Sequence, residues 1–344
     1  MDVFKGIDLH LIWFILVGVL LTGYAILDGF DLGVGALHLF ARTDEERRLM
    51  LNAIGPVWDG NEVWLVTGGG ALFAAFPDVY ATSFSAFYLP FMLLLVMLIF
   101  RAVAIEFRSK QPMPLWRQCW DISFSVSSIL IMFLLGVALG NIGLGLDLNA
   151  HHEFVGSLLG LLNPYALLVG VTTVATFMMH ANIYVVLKTE KELHERARGW
   201  MLYTLPAFVI FYVMTTMVTL LYVPQMTDHI RHQPLFFIIA ILNMLSVANI
   251  PRELFYGRDF QAFVSSCLTI GLMMALFGLG VFPYLLPANP HWEYGLHIYN
   301  AASSPKTLGI MLIIALLAIP LVTSYTISIY WIFRGKVKLT SKSY

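Results

Sequence analysis

Charged side chains are scarce in this sequence. Asp, Glu, Lys and Arg supply 12% of its 344 residues, about half the share found in a water-soluble domain. Hydrophobic residues fill 59%, and mean hydropathy is +0.78. A chain so poor in charge cannot clothe itself in water, so soluble nucleotide-binding and nucleic-acid-binding domains are excluded and no nucleic-acid partner is expected. Cysteine is nearly missing as well. Cys119 and Cys267 stand alone, with no Cys-x-x-Cys or Cys-x-x-Cys-His, which excludes a disulfide framework, a zinc site and covalent haem attachment. They read as small buried hydrophobes. Residues 1–5 lack a strong basic region and no small-residue cleavage site follows, so the first apolar run is expected to be retained as a helix. No linker or low-complexity stretch divides the chain, and residues 1–344 read as one integral membrane domain.

What the sequence does contain is a series of long apolar runs. A spanning helix needs about 20 mostly apolar residues, and nine segments qualify: 9–28, 56–76, 83–105, 120–146, 156–187, 200–222, 234–250, 261–285 and 307–333. The expected fold is therefore an all-α polytopic membrane protein with nine transmembrane helices. Phe76-Pro77 and Phe282-Pro283, each at an outer helix end, hint at two four-helix bundles plus one extra helix. Seventeen of the 20 Lys and Arg fall in or beside the first, third, fifth and seventh connections or in the tail, leaving Lys5, Arg231 and Lys306 for the opposite side. The positive-inside rule makes the basic side cytoplasmic. The N-terminus is then outside and the C-terminus inside, which an odd number of spans satisfies. The outer loops carry Asp78, Asp147, Asp228 and Glu293. Gly68-Gly69-Gly70 and Gly136, Gly140, Gly143 and Gly145 read as sites of close helix packing.

Against this background two acidic clusters stand out. Asp28-Gly29-Phe30-Asp31 lies at the inner end of the first apolar stretch, and Trp58-Asp59-Gly60-Asn61-Glu62-Val63-Trp64 opens the second. A carboxylate in a bilayer costs roughly 2.5–3.5 kcal/mol on the lenient insertion scale and commonly marks an ion or proton path. Asp28 and Asp31 are three apart and share a helical face. Glu62 follows Asp59 by one turn. The first stretch runs to Phe40, so its helix either projects beyond the membrane or breaks near Gly29, Gly33 and Gly35. Gly55-Pro56 resembles a helix start. A first-turn carboxylate such as Asp59 can simply satisfy free amides, but that role does not cover Asp28, Asp31 and Glu62 together. A shared polar seam extended by Asn61 does. Arg101 lies within the third span, where it can snorkel, pair with an acid or meet a partner; pairing is the favoured reading. Trp58 and Trp64 read as interfacial residues rather than a cofactor box.

Of the ten histidines only His10, His38 and His180 belong to apolar stretches. His10 and His38 sit at opposite ends of the first helix and His180 has no evident partner at its depth. A haem bridged by two of them is not expected, and a redox centre is expected in another subunit.

The residues fit a known family. Asp28-Gly29-Phe30-Asp31-Leu32-Gly33-Val34-Gly35 resembles the DGFDxGVG signature of subunit II of cytochrome bd-type quinol oxidases. Glu46-Arg47-Arg48, the run from Asn52 to Trp64, the run from Thr67 to Pro77, Phe100-Arg101 and Phe107-Arg108-Ser109-Lys110 continue the resemblance in order, with weaker points at Trp120-Asp121 and Gly140-Asn141. The second half is similar in layout more than in motif, and the length is that of compact members. The resemblance implies a quinol:O2 oxidoreductase in a bacterial or archaeal cytoplasmic membrane, built with a subunit I that holds two b-type haems and one d-type haem. It implies that this subunit binds no haem or metal and offers a polar route for cytoplasmic protons. Asp59, from the WDGN pattern, is carried over first as the expected gate, then Asp28 and Asp31, with Asn61 and Glu62 beside them. Arg101 and Trp58 are carried over for charge pairing or partner contact. The family also admits a structural quinone in this subunit and a small accessory subunit. Two other readings compete: a proton- or cation-coupled secondary transporter, and a purely structural partner.

Overall fold

The computed structural model describes residues 6–227 and 234–339; Lys5, Asp228, Arg231 and Lys342, used above to assign sides, lie outside the described residues. The described chain is almost entirely helical. α1 covers Leu9–Leu37, α2 Asp44–Ile54, α3 Trp58–Ala75, α4 Pro77–Ala86, α5 Tyr88–Phe107, α6 Pro114–Leu144, α7 Pro164–Lys188, α8 Lys191–Tyr222, α9 Pro234–Phe255, α10 Asp259–Val281 and α11 Pro305–Ile332. A small antiparallel pair, β1 (Tyr284–Leu286) and β2 (Leu296–His297), lies in the loop between α10 and α11.

Among the described residues eight helices, α1 and α5 to α11, are long and apolar enough to cross a membrane. The chain is thus a multi-pass membrane protein. α3, the expected second span, has 18 residues and carries Asp59, Asn61 and Glu62 in its first turns, which keeps it below that standard.

α1 settles the choice left open for the first stretch. It runs unbroken for 29 residues, roughly 43 Å at 1.5 Å per residue, and projects past a hydrocarbon core of about 30 Å. Its glycines serve contact instead of breakage. A Cβ on Gly33 would sit 2.1 Å from the Phe177 carbonyl oxygen, and one on Gly35 would sit 2.1 Å from Ser128 Oγ. α1 therefore lies flush against α7 and α6, and it also packs on α3 and α10. Gly136 and Gly140 of α6 do the same against Thr173 and Ala166 of α7. Gly69 and Gly70 do not: a Cβ there would meet nothing in this chain within 4 Å.

Several boundaries differ from those expected, each for a local reason. The third span begins at Tyr88, because residues 83–86 belong to the separate helix α4. The fifth begins at Pro164 rather than residue 156, since the Asn163 side chain accepts from Ala166 N at 2.8 Å and Pro164 occupies the first turn. The sixth starts nine residues earlier, at Lys191, with a charged turn that hydropathy does not register. α3 starts at Trp58, so Pro56 lies in the preceding turn while Asp59 does fall in the first helical turn. α2 was not anticipated. It is capped by a reciprocal box, Thr43 Oγ1 accepting from Glu46 N and Glu46 Oε2 accepting from Thr43 N.

Candidate functional site: a buried acid–arginine network

Three helices bring the polar residues together. α1 supplies Asp28 and Asp31, both 0% exposed; α5 supplies Arg101, also 0% exposed; α3 supplies Asn61, 2% exposed, and Glu62, whose side chain keeps 23% exposure. The Arg101 fork grips Asp28, with Nη2 to Oδ1 at 2.5 Å and Nη1 to Oδ2 at 3.3 Å, and Nη1 also reaches Glu62 Oε2 at 3.3 Å. Planar two-pronged pairing of this kind suits Arg and not Lys. Arg101 thus pairs with acids within the chain.

Asp31 is held differently. Asn61 Nδ2 donates to Asp31 Oδ2 at 2.7 Å and to the Leu27 carbonyl at 3.2 Å, while Asn61 Oδ1 accepts from the Tyr330 hydroxyl of α11 at 3.0 Å. Asp31 Oδ1 and Arg101 Nε are buried and make no hydrogen bond among the described residues. Polar atoms left this way inside a protein are commonly served by water. Asp59 lies apart from this network. It is exposed at the start of α3, one turn from Glu62, which links the surface to Arg101. Trp58 turns inward, 8% exposed, and packs in the apolar cluster with Phe30, Ile54 and Tyr184.

A second charged cluster occupies the end of the bundle where the basic loops gather. Asp121 of α6 sits at its centre: His38 Nε2 lies 2.6 Å from Oδ1, Arg108 Nε donates to Oδ1 at 2.5 Å, and Arg47 Nη1 donates to Oδ2 at 2.8 Å. Asp44 extends it by accepting from Arg108 at 2.8 Å and Arg117 at 2.9 Å. This cluster ties the end of α1 to α2, α5 and α6. Sequence reasoning did not assemble it, although Arg47, Arg108 and Asp121 all fall in the motifs quoted above. Tyr330 was missed too, because a tyrosine near the end of the last apolar run carries no signal of its own.

His180 commits Nδ1 to Ser266 at 2.7 Å and Nε2 to the Ile26 carbonyl at 3.1 Å and stacks on Phe263. His38 pairs Nε2 with Asp121, while its buried Nδ1 makes no hydrogen bond among the described residues. Among the described residues no group of three His, Cys, Asp or Glu is placed to hold a metal ion.

The chain is a largely helical, multi-pass membrane protein with a network of three carboxyl groups and one guanidinium buried among its helices. The comparisons then fix the family. Residues 9–333 match the cytochrome bd terminal oxidase subunit II family, and the chain belongs to it. It is 34% identical over 364 aligned positions to the cytochrome bd-I ubiquinol oxidase subunit 2 of Escherichia coli K12, covering 96% of this chain and 95% of that one. It is 35% identical over 334 positions to the cytochrome bd ubiquinol oxidase subunit 2 of Bacillus subtilis 168, covering 96% and 97%. The fold is similar to a chain of the bd oxidase structure from Geobacillus thermodenitrificans, with a TM-score of 0.76, 17% identity, and coverage of 94% and 98%. Membership of this family sets the transporter reading aside.

Proposed function

We propose that the chain is the haem-free subunit II of a respiratory quinol oxidase that reduces O2 to water, and that it supplies the cytoplasmic proton pathway. The observation that supports this most directly is the pairing of Arg101 with Asp28 and Glu62, with Asp31 one turn along α1 from Asp28 and equally buried. Three neighbouring carboxyl groups outnumber the one fixed cation among them and balance their charge by binding protons, which gives the network capacity to load and release them. Glu62 is its half-exposed mouth and Asp59 the gate outside it. Asn61 couples Asp31 to the rest. Reducing oxygen consumes protons, and drawing them from the cytoplasm makes turnover electrogenic.

In this reading the chain is one integral domain of a bacterial or archaeal cytoplasmic membrane, N-terminus outside and C-terminus inside. α3 crosses as the ninth helix, beside two four-helix bundles. The open face of α3 supports a protein neighbour. Gly69 and Gly70 meet nothing, Val66 is 70% exposed and Phe73 59% exposed, and the same helix presents the Asp59 and Glu62 carboxyl groups. A partner on this face covers its apolar length and leaves Asp59 and Glu62 at its rim, where water reaches them. Subunit I, holding two b-type haems and one d-type haem, is that partner. A small accessory subunit, lipids and a structural quinone complete the expected complex.

The test is Asp59→Asn in the assembled complex, followed by turnover and charge movement across proteoliposomes. Loss of both with unchanged haem spectra supports the gate; turnover and charge movement like the wild type would leave this chain a purely structural partner at that position.

A further inference from the structure

We infer that Tyr330, anchored by a strap formed from the chain beyond α11, sets the orientation of the Asn61 carboxamide and so positions the hydrogen bond that Asn61 donates to Asp31. The functional consequence rests on the proton-pathway reading; the positioning itself does not.

Asn61 offers one acceptor oxygen and one amino group. Its amino group faces two acceptors, Asp31 Oδ2 at 2.7 Å and the Leu27 carbonyl at 3.2 Å. Turning the amide over would set oxygen against oxygen on that side. The amide oxygen must therefore face the other way, where the Tyr330 hydroxyl donates to it at 3.0 Å. Without that hydroxyl a buried carbonyl loses its donor. The fixed orientation of the amide then loses one of its two supports. Tyr330 makes no hydrogen bond to Asp31 and acts through Asn61.

Most of α11 packs on nothing in this chain, and near Tyr330 only Ile329 and the Tyr330 ring itself rest against the apolar core. The buried residues of α11 are Leu308, Gly309 and Leu312, all near its first turns, and the helix from Ile313 to Ser328 is not buried. A second hold lies beyond the helix end, where Val337 also meets the core. Lys188, the last residue of α7, donates from Nζ to the carbonyls of Phe333 and Gly335. Lys336 returns the interaction, donating to the carbonyls of Val186 at 3.3 Å and Thr189 at 3.0 Å, and Val337 N donates to the Lys188 carbonyl at 2.9 Å. Each lysine thus satisfies carbonyl groups left free at the end of the other helix. Arg334 lies over the Trp331 ring at 4.1 Å and closes the turn. The strap ties the end of α11 to α7, and Tyr330 lies only three residues before Phe333.

The experiment compares four forms of the purified, assembled oxidase: wild type, Tyr330→Phe, the strap variant Lys188→Met with Lys336→Met, and Asp31→Asn. Turnover is measured as kcat and KM for quinol, and redox-induced infrared difference spectra are recorded. The Asp31 carboxyl band is assigned by its loss in Asp31→Asn. Tyr330→Phe is expected to move that band and lower kcat about five-fold, the worth of one hydrogen bond, with KM unchanged. The strap variant, which keeps the tyrosine, is expected to do the same and carries the test alone if Tyr330→Phe fails to assemble. An unmoved Asp31 band in both variants overturns the inference, even if Asp31→Asn abolishes turnover. A moved band in Tyr330→Phe with an unmoved one in the strap variant overturns the anchoring role of the strap. A moved band in both, with wild-type turnover in all three variants, sustains the positioning and removes the proton-pathway reading instead.

Discussion

Arg101 and Asp28 form a two-pronged ion pair with both side chains fully buried, at 2.5 and 3.3 Å. Such a pair contributes little net stability, because desolvating the two charges offsets their attraction; removing one partner is what costs heavily. Arg101→Leu alone should therefore lower the stability of the complex by about 3–5 kcal/mol, and Asp28→Leu by a similar amount. The double variant Asp28→Leu with Arg101→Met should recover most of that loss while turnover stays low, since the apolar pair carries no protons. Thermal unfolding of the purified oxidase together with its turnover number checks both halves. Normal turnover in a stable double variant would show that the pair is there for structure alone.

Asp121 is the stability counterpart of that network. It lies at the junction of α1, α2, α5 and α6 and faces Arg47, Arg108 and His38. Asp121→Asn leaves Arg47 and Arg108 short of an anion while Asp44 still faces Arg108 and Arg117. The expected result is a loss of about 3 kcal/mol in stability and a reduced yield of complex, with turnover per intact haem preserved. A thermal melt and haem-normalised activity separate the two effects. Lost turnover in a complex of normal stability would move Asp121 into the proton route.

The main features of the fold were legible because hydropathy reports what the membrane demands. Eight of the expected spans are helices of sufficient length, and Asp28, Asp31, Asn61 and Arg101 converge as their places in the sequence suggested. The rest was hidden for definite reasons. α2 has a mixed, charged sequence that no apolar window detects, although Thr43-x-x-Glu46 was a readable capping box. The break between α4 and α5 at Phe87 falls inside a continuous apolar run. Trp58 reads as a membrane-interface residue by type, yet its ring fills the core beside Phe30. The Tyr330 contact joins residues 269 positions apart, a distance across which a single sequence carries no pairing signal.

Glycine offers the last test, because identical substitutions should act through different surfaces. At Gly33 an added Cβ would fall 2.1 Å from the Phe177 carbonyl oxygen and 2.5 Å from Ala181 Cβ. Both are rigid parts of α7, so α1 and α7 must separate. Gly33→Ala should then prevent the subunit from accumulating in the membrane at all, as judged by immunoblot of membranes from cells expressing this chain. At Gly70 the added Cβ meets nothing in the chain, and in an interior helix Gly→Ala even favours the helix by up to about 1 kcal/mol. Gly70→Ala should leave the subunit itself intact. Any effect must come from whatever covers α3. Gly70→Leu is therefore expected to insert normally but to weaken capture of the haem-bearing subunit in co-purification. If it co-purifies with that subunit at the wild-type ratio, the open face of α3 is not where the two subunits meet.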